Sequence, residues 1–256
     1  WPMRRKKEKP LSCKLLVRPA GPVRAAMTTT DKSNRSLIWD WPLRAFHWLL
    51  TVCFLGSWIT AEAGIEWAQT HLFLGYCTLG LIIFRLVWGV LGPKYSRFTQ
   101  FVRRFGETWR SLSELPMRSD NPHVGHSPIG GWASLLLIGL IGIQATSGLF
   151  ITDDIFNAGP YNSVVTGDWA DRLGWLHHTN FDVLLIAIAA HLVVISWYRL
   201  GKNHNLVLPM ITGLMPVRSA LGIPSSRSGL AFAIALLVGL FVYLLVQLAP
   251  EPEYFF

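Results

Sequence analysis

The stretch LHHTNFDVLLIAIAAH, residues 176–191, combines an apolar run with histidines at both of its ends. A helix that crosses a bilayer needs about 20 mostly apolar residues, and the run at 177–198 is long enough. His177 and His191 are 14 residues apart. At about 100° per residue they lie within about 40° of one helix face and about 21 Å apart along the axis. The stretch therefore predicts a membrane-spanning helix with an imidazole near each end of one face.

Four other apolar runs of similar length occur in the chain. Together the runs predict five spans, at 43–63, 71–91, 131–151, 177–198 and 229–249. Hydrophobic residues make up 51% of the chain and charged residues 15%, which is typical of an integral membrane protein. The runs are continuous rather than alternating, which excludes a transmembrane β-barrel. We predict an all-α integral membrane protein.

The loops on the two sides of the predicted membrane carry opposite charge. Segments 1–44, 92–130 and 199–228 have net charges of +8, +3 and +4. The segments on the other side contain one base, Arg172, and eight acids: Glu62, Glu66, Asp153, Asp154, Asp168, Asp171, Glu251 and Glu253. Because Lys and Arg concentrate in cytoplasmic loops, we predict a cytoplasmic N-terminus and an external C-terminus. The net charge of +8 then reflects membrane topology and gives no reason to expect nucleic-acid binding.

Two segments outside the spans have their own patterns. Residues 1–26 are rich in Lys, Arg and Pro and lack the apolar core of a signal peptide, so we predict a disordered extension with Met27 as a plausible start. Residues 97–112 place aromatic and aliphatic side chains at helical spacing between arginines. This pattern predicts a helix on the cytoplasmic membrane surface.

Four histidines fall at two depths of the predicted bundle. His47 and His191 lie near the cytoplasmic side, whereas His71 and His177 lie near the external side. His178 is rotated by about 140° from His191 and instead aligns with Asp182 four residues on, so we interpret it as an interfacial residue. Paired imidazoles inside a helical bundle are typical of b-type haem, whose iron takes two axial ligands. The pairing by depth is His47 with His191 and His71 with His177.

Arg85 is a charged residue within the second predicted span. It follows His71 by 14 residues and so shares its face, at the depth of the cytoplasmic histidine pair. No acidic side chain in spans 1–4 is an obvious partner, since Asp182 lies at the opposite end of its helix. Arg85 is therefore expected either to bind a haem propionate or to extend to cytoplasmic water. Gly75, one turn from His71, leaves space beside a bulky group.

Several motifs occur in order between Trp39 and Gly213: WDWPLRAFHWLL, HLFLGY, FRLVWGVLGP, GHSPIGGW, TSGLF, LHHTNFDVLLIAIAAH and NLVLPMITG. In these motifs the chain resembles the prokaryotic cytochrome b561 family, which is related to the cytochrome b subunit of nickel–iron hydrogenases. The resemblance implies a four-helix core that binds two non-covalent b haems. The ligand pattern of the family falls on His47, His71, His177 and His191. The pair HH at 177–178 departs from the family, in which a glutamate usually follows the histidine.

The resemblance also implies a function and a location. The expected function is electron transfer between the quinone pool and a periplasmic partner, such as a c-type cytochrome or a hydrogenase, in the bacterial inner membrane. The expected domains are a cytoplasmic segment at 1–38, the four-helix domain at 39–213, a linker at 214–228, a fifth transmembrane helix at 229–249 and a periplasmic tail at 250–256. The fifth helix lies outside the resemblance.

Two other functions compete with this one. A superoxide-oxidising quinone reductase of the same fold would need a positive external surface to attract its anionic substrate, whereas the external segments are acidic. A metal-ion transporter would need carboxylates or thiols that converge with the histidines inside the membrane. Asp182 is the one acid available for this purpose, and it lies on the wrong face of its helix.

Overall fold

The computed structural model describes Trp1 and residues 35–101, 124–125, 127–152, 158–165, 167–217 and 221–250. The chain divides into two compact units, Trp1–Ser33 and Asn34–Phe256, and all of the long helices belong to the second. The predicted disordered extension, most of the predicted surface helix and residues 251–256 lie outside the described residues. Of the surface helix, one turn is described, as helix α3 at Phe98–Phe101.

Among the described residues, five helices are long and apolar enough to cross a membrane. They are α1 at Trp41–Glu62, α2 at Ala68–Leu91, α4 at Pro128–Ser147, α5 at Asp168–Leu200 and α7 at Ser228–Gln247. The five predicted spans are thus confirmed. Helix α5 begins nine residues before the predicted start of its span at 177. The prediction excluded Asp168 and Asp171 because charged residues are not apolar. Negative charges nevertheless stabilise the N-terminal turn of a helix, so the helix begins at Asp168.

The long helices run alternately between two ends of a bundle. The inner end contains Trp41, Leu91 and Leu200, and the outer end contains Glu62 and Asp168. Helix α1 packs against α2, α4 packs against α5, and α2 also packs against both α4 and α7. Helix α2 therefore occupies the centre of the bundle.

Helix α5 packs against α2 and α4 through buried apolar side chains. In the middle of the bundle, Ile82 of α2, Ile141 of α4 and Leu184 of α5 form one buried cluster. Ridge-to-groove packing at this cluster fixes α5 beside α4. The histidine-bearing face of α5 is thereby held opposite α1 and α2.

The fifth helix, α7, packs along α2. The cluster between them consists of Trp88, Ala231, Ile234, Val238 and Val242. Hydrogen bonds fix both ends of α7: the indole N–H of Trp41 donates to Ser228 Oγ (2.7 Å), and the Tyr161 hydroxyl donates to the carbonyl of Leu245 (2.8 Å). The helix is therefore an integral part of the bundle.

A short antiparallel ribbon closes the inner end. Strand β1, Ser36–Leu37, pairs with strand β2, Leu214–Met215. Helix α6, Val207–Thr212, precedes β2 and ends at Gly213, which has a φ of +81°. The carbonyl of Gly213 accepts hydrogen bonds from the backbone N–H groups of Ile38 and Trp39. The ribbon thus places α6 next to the first turn of α1.

A buried carboxylate joins α1 to α2 at the inner end. Asp40, immediately before α1, is fully buried. Its Oδ1 caps the helix by accepting from the backbone N–H of Leu43 (3.0 Å) and also accepts from Trp88 Nε1 (3.0 Å). Its Oδ2 accepts from the hydroxyl of Ser96. One side chain therefore sets the start of α1 against the end of α2.

Arg85 belongs to the same network. It is 2% exposed, donates from Nη1 to the carbonyl of Ser96 (3.1 Å) and interacts electrostatically with Asp40. Its guanidinium carbon lies 4.6 Å from the centre of the Phe98 ring. The expectation that Arg85 extends to water is wrong, because the side chain is buried. It also has an acidic partner, which hydropathy did not reveal because Asp40 lies just outside the apolar run.

Replacing Asp40 with Ala should leave the Arg85 charge buried without its partner and destabilise the protein by about 3–5 kcal/mol. Thermal unfolding in detergent measures the loss. The matched control, Glu62→Ala at the exposed outer end of α1, should change stability by less than about 0.5 kcal/mol. The double variant Asp40→Ala with Arg85→Leu should lose less than the sum of the single losses; additive losses would show that the two residues are not coupled.

Candidate functional site

Two imidazoles face each other at the outer end of the bundle. The ring centres of His71 in α2 and His177 in α5 lie 6.4 Å apart, with the rings at 72°. Nδ1 of His71 lies 2.9 Å from the carbonyl oxygen of Ser57, and Nδ1 of His177 lies 3.0 Å from Oγ of Ser147. We call His71 and His177 the outer pair.

These hydrogen bonds decide which ring nitrogen is available. A carbonyl can only accept, so His71 must donate from Nδ1 to Ser57. The Ser147 hydroxyl donates to the carbonyl of Ile143 (2.8 Å), which leaves its oxygen to accept from His177. Each ring therefore carries its hydrogen on Nδ1 and keeps the lone pair of Nε2, the arrangement typical of metal-binding histidines. Each ring of the outer pair thus keeps one nitrogen that could bind a metal ion.

The second predicted pair lies at the inner end. His191 of α5 is close enough to His47 of α1 to interact with it electrostatically. Nδ1 of His47 is buried and has no hydrogen-bond partner among the described residues. Buried polar atoms without partners are rare in folded proteins, so this nitrogen indicates a site for a further group. We call His47 and His191 the inner pair.

Aromatic side chains lie between the two pairs. The rings of Phe54 and Phe181 stack with centres 6.3 Å apart, and Trp58 contacts Phe181 edge-on at 5.9 Å. A side-chain carbon added at Gly75, one turn from His71, would meet nothing within 4 Å. The space expected at Gly75 is thus present, and the middle of the bundle is apolar.

His178 has a different environment from His177. Both His178 and its predicted neighbour Asp182 are exposed. The ring of His178 contacts the edge of His177 at 5.9 Å between centres. The structure therefore turns His177, and not His178, toward His71.

Sequence reasoning missed the two serines that orient the outer pair. Ser57 acts through its backbone carbonyl, which no side-chain pattern can reveal. Ser147 belongs to the motif TSGLF, whose residues had no assigned role. The next residue, Gly148, lies against the His177 ring, so that an added side-chain carbon there would be 3.2 Å from Cε1. A larger residue at this position would press on the imidazole.

An apolar cavity adjoins the outer pair on its other side. It has a volume of about 400 Å³ and lies between α4 and α5, with Gly139, Gly142, Thr146, Ser147, Leu173 and Leu176 among its lining residues. Gly139, Thr146 and Leu176 are exposed, so the cavity opens toward the lipid. Ser147 connects it directly to His177.

The chain was compared with models of protein families. The model of the family described as prokaryotic cytochrome b561 matches residues 38–213, which is most of the chain. The comparisons with curated proteins and with solved structures gave no match. The chain belongs to the prokaryotic cytochrome b561 family, and the resemblance seen in its motifs is thereby confirmed. It is a multi-pass membrane protein of the kind that binds haem b and transfers electrons.

The residues of the bundle fit such a cofactor. The rings of the outer pair lie 6.4 Å apart between centres, the inner pair contains an orphaned imidazole nitrogen, and Gly75 leaves open space. Arg85 was expected to bind a propionate, and this stays a prediction, although Asp40 and Ser96 already contact its side chain. The matched region ends at Gly213, so α7 lies beyond it.

Replacing His177 with Ala should remove one haem per chain, because no other described imidazole faces His71. The neighbouring variant His178→Ala is the matched control and should keep the full haem content. Haem per chain after purification, measured as the pyridine haemochrome, distinguishes the two. If His178→Ala alone lost haem, the assignment of the outer pair would be wrong.

Proposed function

We propose that the protein is a di-haem b cytochrome that carries electrons between the membrane quinone pool and a periplasmic redox protein. The observation that carries the proposal is the outer pair, whose rings lie 6.4 Å apart with both Nδ1 atoms already engaged. The inner pair adds a second site on the same face of α5. Two cofactors on one face of a spanning helix provide a route across the bilayer.

The proposed ligands are His71 and His177 for one haem and His47 and His191 for the other. When bound, haem b would supply a one-electron redox centre, and these imidazoles would hold its iron. Such a centre suits electron transfer rather than chemistry on a bound substrate. The two sites are about 21 Å apart along α5 at a rise of about 1.5 Å per residue.

The surrounding residues would orient the ligands and exclude water. Ser57 and Ser147 accept hydrogen bonds from the outer imidazoles, which fixes the rings and raises their basicity as ligands. The stacked rings of Phe54 and Phe181 keep the space between the sites apolar. A dry and rigid site limits the reorganisation that accompanies each electron transfer.

The proposed partners follow from the lipid around the bundle and from the charge of its outer end. A quinone dissolves in lipid, and the apolar cavity is lined in part by Ser147, which contacts His177 of the outer pair. The outer end exposes Glu62, Glu66, Asp168 and Asp171. If the inner end is cytoplasmic, as the distribution of Lys and Arg predicts, these acids face the periplasm and favour a basic partner such as a c-type cytochrome.

The two alternative functions receive less support. An acidic outer end would repel superoxide. Within the described parts of the chain, no group of three His, Cys, Asp or Glu residues converges on a point that could hold a transported metal ion. Cys53 and Cys77 are free thiols inside the spans, but they do not extend a histidine pair into such a group.

The proposed cofactor content is tested by counting haem. The purified protein should contain two non-covalent b haems per chain, and His47→Ala and His71→Ala should each leave about one, because each removes a proposed ligand from a different site. The pyridine haemochrome assay with a protein determination gives the ratio. A ratio of one in the unmodified protein would mean that only one of the two histidine pairs binds haem. A ratio near zero would refute the proposal.

Electron transfer to a basic c-type cytochrome should slow as salt is added, because the Debye length falls from about 10 Å at 0.1 M to about 3 Å at 1 M. Stopped-flow mixing of the reduced protein with the cytochrome measures the rate. Glu62→Gln with Glu66→Gln should weaken the salt dependence, whereas Lys202→Gln at the inner end should not. A rate independent of salt would remove the electrostatic basis for the partner.

A further inference from the structure

Arg44 lies one helical turn before His47, at the inner end of α1. Its Nη1 donates to the carbonyl of Ile211 in α6. Its Nε is buried and has no hydrogen-bond partner among the described residues. A guanidinium can make five hydrogen bonds, so a buried N–H without an acceptor indicates that an acceptor is missing from the neighbourhood.

The surrounding chain holds Arg44 firmly in this position. Trp48, one turn further along α1, donates from Nε1 to the carbonyl of Met210 (3.2 Å). Gly213 follows α6 closely enough that a side-chain carbon there would lie 3.2 Å from Arg44 Nε. The Nε of Arg44 thus lies buried between α1 and the turn after α6.

The orphaned nitrogen of Arg44 has a neighbour of the same kind. Nδ1 of His47, three residues on, is also buried without a partner among the described residues. Residues three apart in a helix lie on adjoining positions of one surface. Two buried polar atoms on one turn of α1 therefore lack partners beside the inner pair.

The protein itself supplies no carboxylate to Arg44 within the described part of the inner end. Asp40 is the one acidic residue there, and its oxygens accept from Leu43, Trp88 and Ser96. Asp40 also provides the charge that faces Arg85. The two arginines thus differ: among the described residues Arg85 has an acidic partner, and Arg44 has none.

We propose that Arg44 binds a propionate carboxylate of the haem held by the inner pair. Haem b carries two carboxylates, and a guanidinium N–H is their strongest neutralising partner in a site of low dielectric. The position one turn from His47 brings the charge to the cofactor that this histidine would ligate. The inference rests on the proposed function, and it gives to Arg44 the role that the sequence suggested for Arg85.

The test compares Arg44→Leu, Arg44→Lys and a control, Arg227→Leu, in the full-length holoprotein. Arg227 also donates from Nη1 to a backbone carbonyl at the inner end, that of Leu91 (3.0 Å), so its loss removes the same charge and the same kind of contact. Three readouts are taken: the haem midpoint potentials, the rate of haem loss to apomyoglobin, and the propionate bending band in the resonance Raman spectrum.

Arg44→Leu should lower the potential of one haem and leave the other unchanged, because a lost positive charge disfavours the added electron. It should also release that haem faster by about tenfold or more, the effect expected for one charge-assisted hydrogen bond, and shift the propionate band. Arg44→Lys should largely restore the potential but not the band, since it keeps the charge and loses the planar guanidinium. Arg227→Leu should match the unmodified protein.

Unchanged potentials, haem loss and propionate band in Arg44→Leu would overturn the inference. If that variant is not inserted into the membrane, Arg44→Lys decides the question: an unshifted propionate band with normal haem retention would also overturn it. A failure of the proposed function would be distinguishable, because the unmodified protein would then contain no haem at the inner pair: it would either lack haem altogether or keep its full haem content in His47→Ala.

Discussion

The buried carboxylate of Asp40 is the contact on which the rest of the bundle depends. It caps α1, accepts from the indole of Trp88 in α2, binds the hydroxyl of Ser96 and balances the charge of Arg85. In a medium without water, buried polar groups such as these need partners within the protein. The relative height of α1 and α2 is therefore set at the inner end, and with it the depths of His47 and His71.

The proposed cofactor sites lie between α1 and α2 on one side and α5 on the other. Helix α5 is held against α4 by Asn180, whose side chain donates to the carbonyl of Leu140 (3.0 Å) and to Gln144 Oε1 (2.6 Å). The histidines of α5 are presented to α1 and α2 across a space bridged by aromatic rings.

Helix α7 shows how the chain extends beyond its family's matched region. The match ends before this helix, yet α7 buries Trp88 together with Ala231 and Ile234. The same indole donates to Asp40. The extra helix therefore covers the network that fixes α1 and α2, and it shields from lipid the side of α2 that faces away from the histidines.

The sequence by itself determined the five spans, because hydrocarbon thickness sets the length of an apolar run. It also determined the two histidine levels, because helical phase places His177 and His191 on one face. The tertiary structure alone decided what each polar group contacts. Asp40 lies just outside its span and 45 residues from Arg85, and Ser57 acts through its backbone. Such partners depend on how helices pack, and no spacing along the chain encodes them.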